Sequence, residues 1–292
     1  TPALIYNSYL SNLDYTCNNT DTSYDTAFMP FGFKLNMSET IVHKAYVTDD
    51  KHRFNSYYLY DDSDGTQHIL EYSYTENTYY DTDGLRLKFV ISNDSITLTD
   101  DSNITKTFIK VNSDTYPYVD SAWCLSEISD TYGNKLIFTL DSNSRPTAIS
   151  LRPVTVSEDI VLLQFIYNEN GRLSIIYDPN TMDSVILRYS YKFDTEILPN
   201  DGKYLRKIEY LVGNHSEGAT TSISDIISYR DSRVNTDKII VASSSSYEYI
   251  SGGWLRKTTD DLSGKYIYYS WNNGKINSVY EGSGESEGQR IN

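Results

Sequence analysis

Forty acidic residues in a chain of 292 make carboxylate chemistry the first possibility to weigh. Two turns carry paired aspartates, Asp62-Ser63-Asp64-Gly65 and Asp81-Thr82-Asp83-Gly84, about nineteen residues apart. Oxygen donors at that density suit Ca²⁺, a hard cation. An EF-hand loop, however, would need another oxygen donor two residues before Asp62, where Tyr60 stands, and a glutamate at its twelfth position, which is missing. The pairs therefore read first as structural turns, with calcium as the alternative. The histidines, His43, His52, His68 and His215, are scattered, and none has the His-Glu-x-x-His spacing of a catalytic zinc site. His68 is expected on a strand surface.

Nucleophilic chemistry has no better footing. Gly282-Ser283-Gly284 is a polar stretch expected to be flexible, lacking the strand-to-helix elbow that activates a serine. No phosphate-cradling Gly-x-x-x-x-Gly-Lys occurs. A glycosidase needs two carboxyls at a set separation, which sequence does not give. The expectation is a protein with no catalytic residues, no metal and no cofactor.

The three tryptophans, Trp123, Trp254 and Trp271, are the candidate ligand-contacting residues. With tyrosines on the same sheet faces they could stack on sugar rings, while acid and amide groups accept hydroxyl hydrogen bonds. The alternative is that these rings fill a core or pair across strands. Trp254 follows Gly252-Gly253, where backbone freedom favours exposing the ring, so it is the preferred probe. A formal charge of −15 argues against a nucleic-acid partner, since polyanion binding depends on Lys and Arg. No run of about eighteen apolar residues is present to span a bilayer as a helix.

The elements that must position these side chains are β-strands. A unit recurs in which an aromatic is followed by Asn or Asp, a turn residue, a basic residue, and apolar residues three positions apart. Its best copy is Tyr167, Asn168, Asn170, Gly171, Arg172, Leu173, Ile176 and Asp178. Trp271, Asn272, Asn273, Gly274, Lys275, Ile276 and Val279 repeat it with one residue fewer before the glycine. Weaker copies begin at Asp130 and Asp141, the latter with Ser144 where glycine would be expected. Asn-Gly tolerates positive φ at both positions, which predicts type I′ hairpin turns. Around them, 160–167, 185–191 and 266–271 are rich in branched and aromatic residues, and Tyr266 and Tyr268 fall on one face at period two. No stretch has helical apolar spacing. The fold class is all-β: hairpins repeated into a curved or spiralling antiparallel sheet.

Tyrosine supplies 28 residues, suited to wide and partly wet sheets. Residues 1–115 lack the repeat and read as an N-terminal β segment, with 116–292 as the repeat region and Pro117 at the junction. The opening Thr1-Pro2-Ala3, without methionine, reads as a processed piece of a longer protein. Cys17 and Cys124 allow one bridge or two thiols.

The series Tyr167-Asn168-x-Asn170-Gly171-Arg172-Leu173-x-x-Ile176-x-Asp178, with Tyr189-x-Tyr191 after it, resembles the YD repeats of the Rhs family of large bacterial secreted or surface proteins. Asp130-x-x-Gly133-Asn134-x-Leu136 and Gly274-Lys275-Ile276 resemble further copies. The resemblance implies a β strip that spirals into a shell, located outside the cell. It implies as partners the other segments of the same large protein and a C-terminal toxin cargo; surface glycans are the partner of the carbohydrate-binding alternative. This chain is too short to close a full cocoon and lacks the family's self-cleavage region, so no protease role follows.

Overall fold

The computed structural model describes residues 4–6, 33–48, 53–73, 78–81, 83–111, 121–168, 171–180, 186–190, 204–213, 224, 239–250, 254–273, 275–283 and 289–290. The elements described are strands and their pairings are antiparallel, so the all-β expectation holds. The strands are β1 (Leu4–Tyr6), β2 (Phe33–Leu35), β3 (Thr40–Thr48), β4 (Arg53–Asp61), β5 (Gln67–Ser73), β6 (Thr78–Asp81), β7 (Lys88–Ile91), β8 (Ser95–Thr99), β9 (Thr105–Val111), β10 (Ser121–Ser129), β11 (Lys135–Leu140) and β12 (Pro146–Arg152). They continue as β13 (Ile160–Tyr167), β14 (Leu173–Tyr177), β15 (Ile186–Ser190), β16 (Lys207–Gly213), β17 (Ile239–Tyr249), β18 (Leu255–Asp260), β19 (Lys265–Asn272), β20 (Lys275–Ser283) and β21 (Gln289–Arg290).

The chain divides into two compact units, built chiefly on Lys34–Leu162 and on Leu163–Asn292. Pro117, where the sequence places its junction, lies outside the described residues, as does Cys17. Cys124 is buried in β10.

In the first unit the strands neighbour one another in chain order from β3 to β10, and β10 then pairs back onto β3. Trp123 shows the closure: it stands opposite Lys110 of β9 on one side and Ile41 of β3 on the other. A ring of strands has no edge here to leave unpaired. Period two decides what faces inward. In β8, Ile96 and Leu98 are buried while Ser95, Thr97 and Thr99 are not. Ile41, Leu70 and Phe108 join them at 0 % exposure. Each such side chain contributes roughly 1.5–3 kcal/mol by leaving water.

The second unit is a meander in which each strand from β13 to β14, and from β14 on to β21, pairs with the next. Its core packs Ile175, Leu211 and Ile239 together, with Ile166, Tyr177 and Val241 against them.

One turn is used repeatedly, and it differs from the type I′ expectation. At Asp62, Asp100, Asp130, Asp141 and Asn168 the first residue's N–H donates to the carbonyl four residues on, at 2.8–3.1 Å. The N–H of the residue three on donates back, at 2.9–3.2 Å. That fourth residue has positive φ: Gly65, Asn103, Gly133, Ser144 and Gly171. This is a three-residue loop closed by a left-handed residue, and at the four aspartate copies the left-handed residue follows a type I turn. The first side chain selects it, because its oxygen accepts backbone amides that the type I′ form would not present. Asp130 Oδ1 takes the N–H groups of Tyr132 and Asn134, both at 2.9 Å, and Asn168 Oδ1 takes that of Arg172 at 2.9 Å.

The copy at Trp271 is different. Asn272 pairs directly with Lys275, leaving a two-residue loop, and Asn273 has φ of +50°. The residue missing before Gly274 in the sequence is the residue missing from this loop. The two Asp-x-Asp-Gly stretches also differ from one another. The one at Asp62 closes the β4–β5 hairpin, whereas Asp81 holds the wider β6–β7 connection by accepting the amides of Leu85 and Leu87.

Candidate functional site

Two groups of side chains are assembled in ways that invite chemistry: an enclosed polar cluster in the first unit and a stacked tryptophan pair in the second.

In the first unit, Glu39 precedes β3, 3 % exposed, with Tyr60 of β4 and Lys106 of β9 against it. Lys106 Nζ donates to both Glu39 oxygens at 2.8 Å and to the Tyr60 hydroxyl at 3.0 Å, and that hydroxyl donates to Glu39 Oε2 at 2.6 Å. The three groups close a loop in which the carboxylate has donors on both oxygens. Burial first, and then the charge of Glu39, push the Tyr60 hydroxyl far above its ordinary range. It stays protonated, which suits it to hold the carboxylate in place and not to act as a base.

Beside Tyr60 lies His68, the ring centroids 5.8 Å apart. The sequence places His68 on a strand surface, but it is 5 % exposed and lies between two carboxylates. Its Nε2 is 3.0 Å from Asp62 Oδ2 and its Nδ1 is 2.9 Å from Asp83 Oδ2. Burial pulls the imidazole pKa down, but the hydrogen bonds and charges of Asp62 and Asp83 together outweigh it and raise the pKa above its ordinary value. Lys34 adds an ion pair to Asp61 at 3.0 Å and donates to the Asp62 carbonyl. Burial leads the upward shift of the Asp61 carboxyl, with Lys34 opposing it.

The aspartates thus serve the backbone and His68. Asp62 Oδ1 accepts the amides of Asp64 and Thr66, and Asp64 Oδ1 accepts that of Thr66 at 2.8 Å. Hydrogen bonds, that of the Thr66 side chain foremost, hold the Asp64 carboxyl down to about 2. Among the described residues no group of three or more His, Cys, Asp and Glu is arranged to hold a metal ion.

The candidate tryptophans do not form one site. Trp123 lies in β10 at 4 % exposure, its ring 5.8 Å from that of Tyr58 and under Lys110 Nζ, also at 5.8 Å. It is a core residue of the first unit, beyond the reach of a ligand at the surface. Trp254 and Trp271 do meet, in the second unit, stacked at 5.6 Å with 27° between their planes. Trp271 Nε1 donates to the Leu255 carbonyl at 2.7 Å. Both rings are half-buried.

Tyrosines lie elsewhere on the same strands. Tyr268 stands opposite Tyr280, edge to face at 6.2 Å, and Lys257 Nζ lies 4.6 Å from the Tyr266 ring. Tyr266 lies across Gly282, its register partner, so closely that a side chain there would displace the ring. Gly282 is therefore part of β20, covered by an aromatic, and not the flexible stretch its neighbours suggested. A groove of about 390 Å³ opens on β17–β20, lined by Ser245, Tyr247, Thr258, Thr259, Tyr266 and Glu281 among others. Burial leads in pushing the Tyr247 hydroxyl up to about 12.

Sequence reasoning found the aromatics, because their type announces them, and missed the Glu39–Tyr60–Lys106 and Asp62–His68–Asp83 groups. A lysine at Lys106 carries no mark of a glutamate 67 residues away. For His68 a signal existed: Asp62 and Asp83 both lie in turns flanking the hairpin that carries it.

No protein-family model matches the chain, and no curated protein does. Among solved structures, a crystal structure of TcdB2-TccC3-Cdc42 aligns at 10 % identity and a TM-score of 0.39, covering 81 % of this chain and 12 % of that one. A Photorhabdus luminescens Tc holotoxin pore aligns at 8 % identity and a TM-score of 0.40, over 97 % of this chain and 13 % of that one. A porin-like protein from Bacteroides uniformis aligns at 10 % identity and a TM-score of 0.25, over 84 % and 93 %. This chain spans about an eighth of the length of the first two.

Proposed function

We propose that this chain is a non-catalytic structural and interaction scaffold, a segment of a larger Rhs-like surface or secreted protein. The observation that carries this reading is the turn repeated at Asp62, Asp100, Asp130, Asp141 and Asn168. Side chains that could act as acids, bases or ligands are instead acceptors for backbone amides, and a repeated hairpin turn builds sheet. The YD-like order of residues around Gly171 and Gly274 supports the same reading from the sequence. No helix among the described residues is long and apolar enough to cross a membrane. The partners of such a segment are its own neighbours in the parent chain, with an enclosed toxin cargo as the further expectation. Reading the coding sequence on both sides of residues 1–292 tests it: further tyrosine-led repeats are expected, and a catalytic glycosidase domain in their place would reverse the reading.

A second reading, sugar binding, is favoured by one observation: the Trp254–Trp271 stack remains half exposed on the unit that also holds the tyrosine-lined groove. On a glycan array, binding by the wild-type chain that falls on Trp254→Ala, with the β spectrum unchanged, is the outcome this reading expects. A blank array with the wild-type chain removes it.

A further inference from the structure

His68 is held at both ends. Its side chain is 6 % exposed, and its two ring nitrogens meet carboxylates from two different connections: Asp62 in the β4–β5 turn and Asp83 in the β6–β7 connection. Both contacts, at 2.9 and 3.0 Å, have ordinary hydrogen-bond length. Only the doubly protonated imidazolium can donate from both nitrogens. A neutral ring has one N–H, and its other nitrogen would present a lone pair to a carboxylate. The protonation state of one side chain therefore decides whether the two connections are tied together.

The two partners are unequal. Asp62 is 20 % exposed and already fixed, its Oδ1 accepting two amides of its own turn and its carbonyl accepting from Lys34. Asp83 is 48 % exposed. The remaining charged groups facing the ring do not replace either contact. Asp64 adds negative charge beside the same turn, Tyr60 presents its ring, and Glu39 and Lys106 neutralise each other across that tyrosine. On the β6–β7 side, Asp81 holds the amides of Leu85 and Leu87.

We propose that His68 is a pH-operated clamp: as imidazolium it ties the β6–β7 connection to the β4–β5 turn, and on losing a proton it keeps Asp62 and releases Asp83. The proton leaves from Nδ1 to solvent, and no other bond changes. The sign follows from linkage. Asp62 and Asp83 together raise the folded-state pKa above the ordinary value, so the clamp's stabilisation is fully present below about pH 6.5 and is lost as pH rises through the raised value. The clamp is closed in acid and opens on the alkaline side of neutrality.

The test is a side-chain ¹H–¹⁵N titration of the full 292-residue chain from about pH 5 to pH 9, with His68→Gln identifying the His68 signals. One titration step is expected, with a midpoint above about 6.5, in which Nδ1 and not Nε2 loses its proton. Amide exchange of Leu85, Arg86 and Leu87, corrected for intrinsic rate, should rise at least severalfold across that midpoint. Asp83→Asn keeps the turn of Asp62 intact and should lower the midpoint by about one unit. A midpoint at or below about 6.5, a midpoint unmoved by Asp83→Asn, or 85–87 exchange indifferent to the step would each overturn the proposal.

Discussion

The first unit encloses charge and the second displays aromatic rings. Glu39, at 3 % exposure, is held within a ring of strands that closes only when β10 meets β3. Trp254, Trp271, Tyr268 and Tyr280 lie on a meander whose pairings join strands close in sequence. The difference lies in the length of chain that must be in place before a group finds its partner. Lys106 reaches Glu39 across 67 residues, while Trp271 bonds the Leu255 carbonyl across 16. A long-range contact in a low-dielectric interior fails completely when one partner goes. A local contact on a half-wet face fails in part.

The largest expected effect tests the enclosed side of this comparison. Lys106→Met leaves the Glu39 carboxylate buried with only the Tyr60 hydroxyl to hold it, and should lower stability by about 3–5 kcal/mol in urea unfolding. Adding Glu39→Gln should recover most of that loss, because the buried charge is then gone. A loss below about 1 kcal/mol for the single variant would mean that Glu39 reaches solvent when unpaired, and the contrast between the units would collapse.

Trp271→Ala probes the displayed side. It removes a half-buried ring stacked on Trp254 and one hydrogen bond to backbone, and should cost roughly 2 kcal/mol, below the range of about 3–5 for a fully buried tryptophan. If it costs more than Lys106→Met in the same assay, the aromatic face is a core in its own right and the comparison is reversed.

How far the sequence discloses each region follows from the same difference. The turns were legible at Gly171, Gly133 and Ser144, because a turn is decided within five residues. Even there the turn type differs: Asn-Gly fits a two-residue loop, and the Asn168 oxygen reaching the Arg172 amide selects the three-residue form. The strands at 160–167 and 266–271 were legible from composition and alternation. Trp123 was not separable from Trp254, since nothing in the chain near Trp123 says that β10 will be sandwiched between β9 and β3. His68 reads as a surface residue because burial of a histidine depends on partners two turns apart.

Acid should loosen both units through their turns. The hydrogen bond from the Asn134 side chain, ahead of backbone amides, holds the Asp130 carboxyl below its ordinary value. The Ser263 side chain does the same for Asp260. At Asp141 burial pushes upward, but the hydrogen bonds and charge of Arg145 outweigh it. A carboxyl depressed on folding stabilises above its unfolded value of about 3.9 and loses that contribution as pH falls through the folded value. Urea midpoints should therefore hold down to about pH 4 and fall below it. A midpoint flat to about pH 2 would show that the turn carboxylates stabilise nothing beyond their unfolded state.

The smallest effect concerns one residue at a backbone angle it does not favour. Ser144 stands at φ +62°, in the position that Gly171 fills at +75° in the matching turn. A side chain in the left-handed region costs roughly 1–2 kcal/mol, so Gly171→Val should destabilise by about that much, with its unfolding midpoint lowered. Ser144→Gly relieves the same strain but adds backbone freedom to the unfolded chain, which offsets roughly 0.5–1 kcal/mol. The net should be a gain of about 0.5 kcal/mol, read as a small upward shift in the urea midpoint. The two substitutions thus predict opposite signs from one turn geometry in two units. Should Ser144→Gly destabilise instead, its side chain, buried at 8 % exposure, contributes packing that outweighs the strain, and the serine is then a packing residue and not a degenerate copy of the glycine.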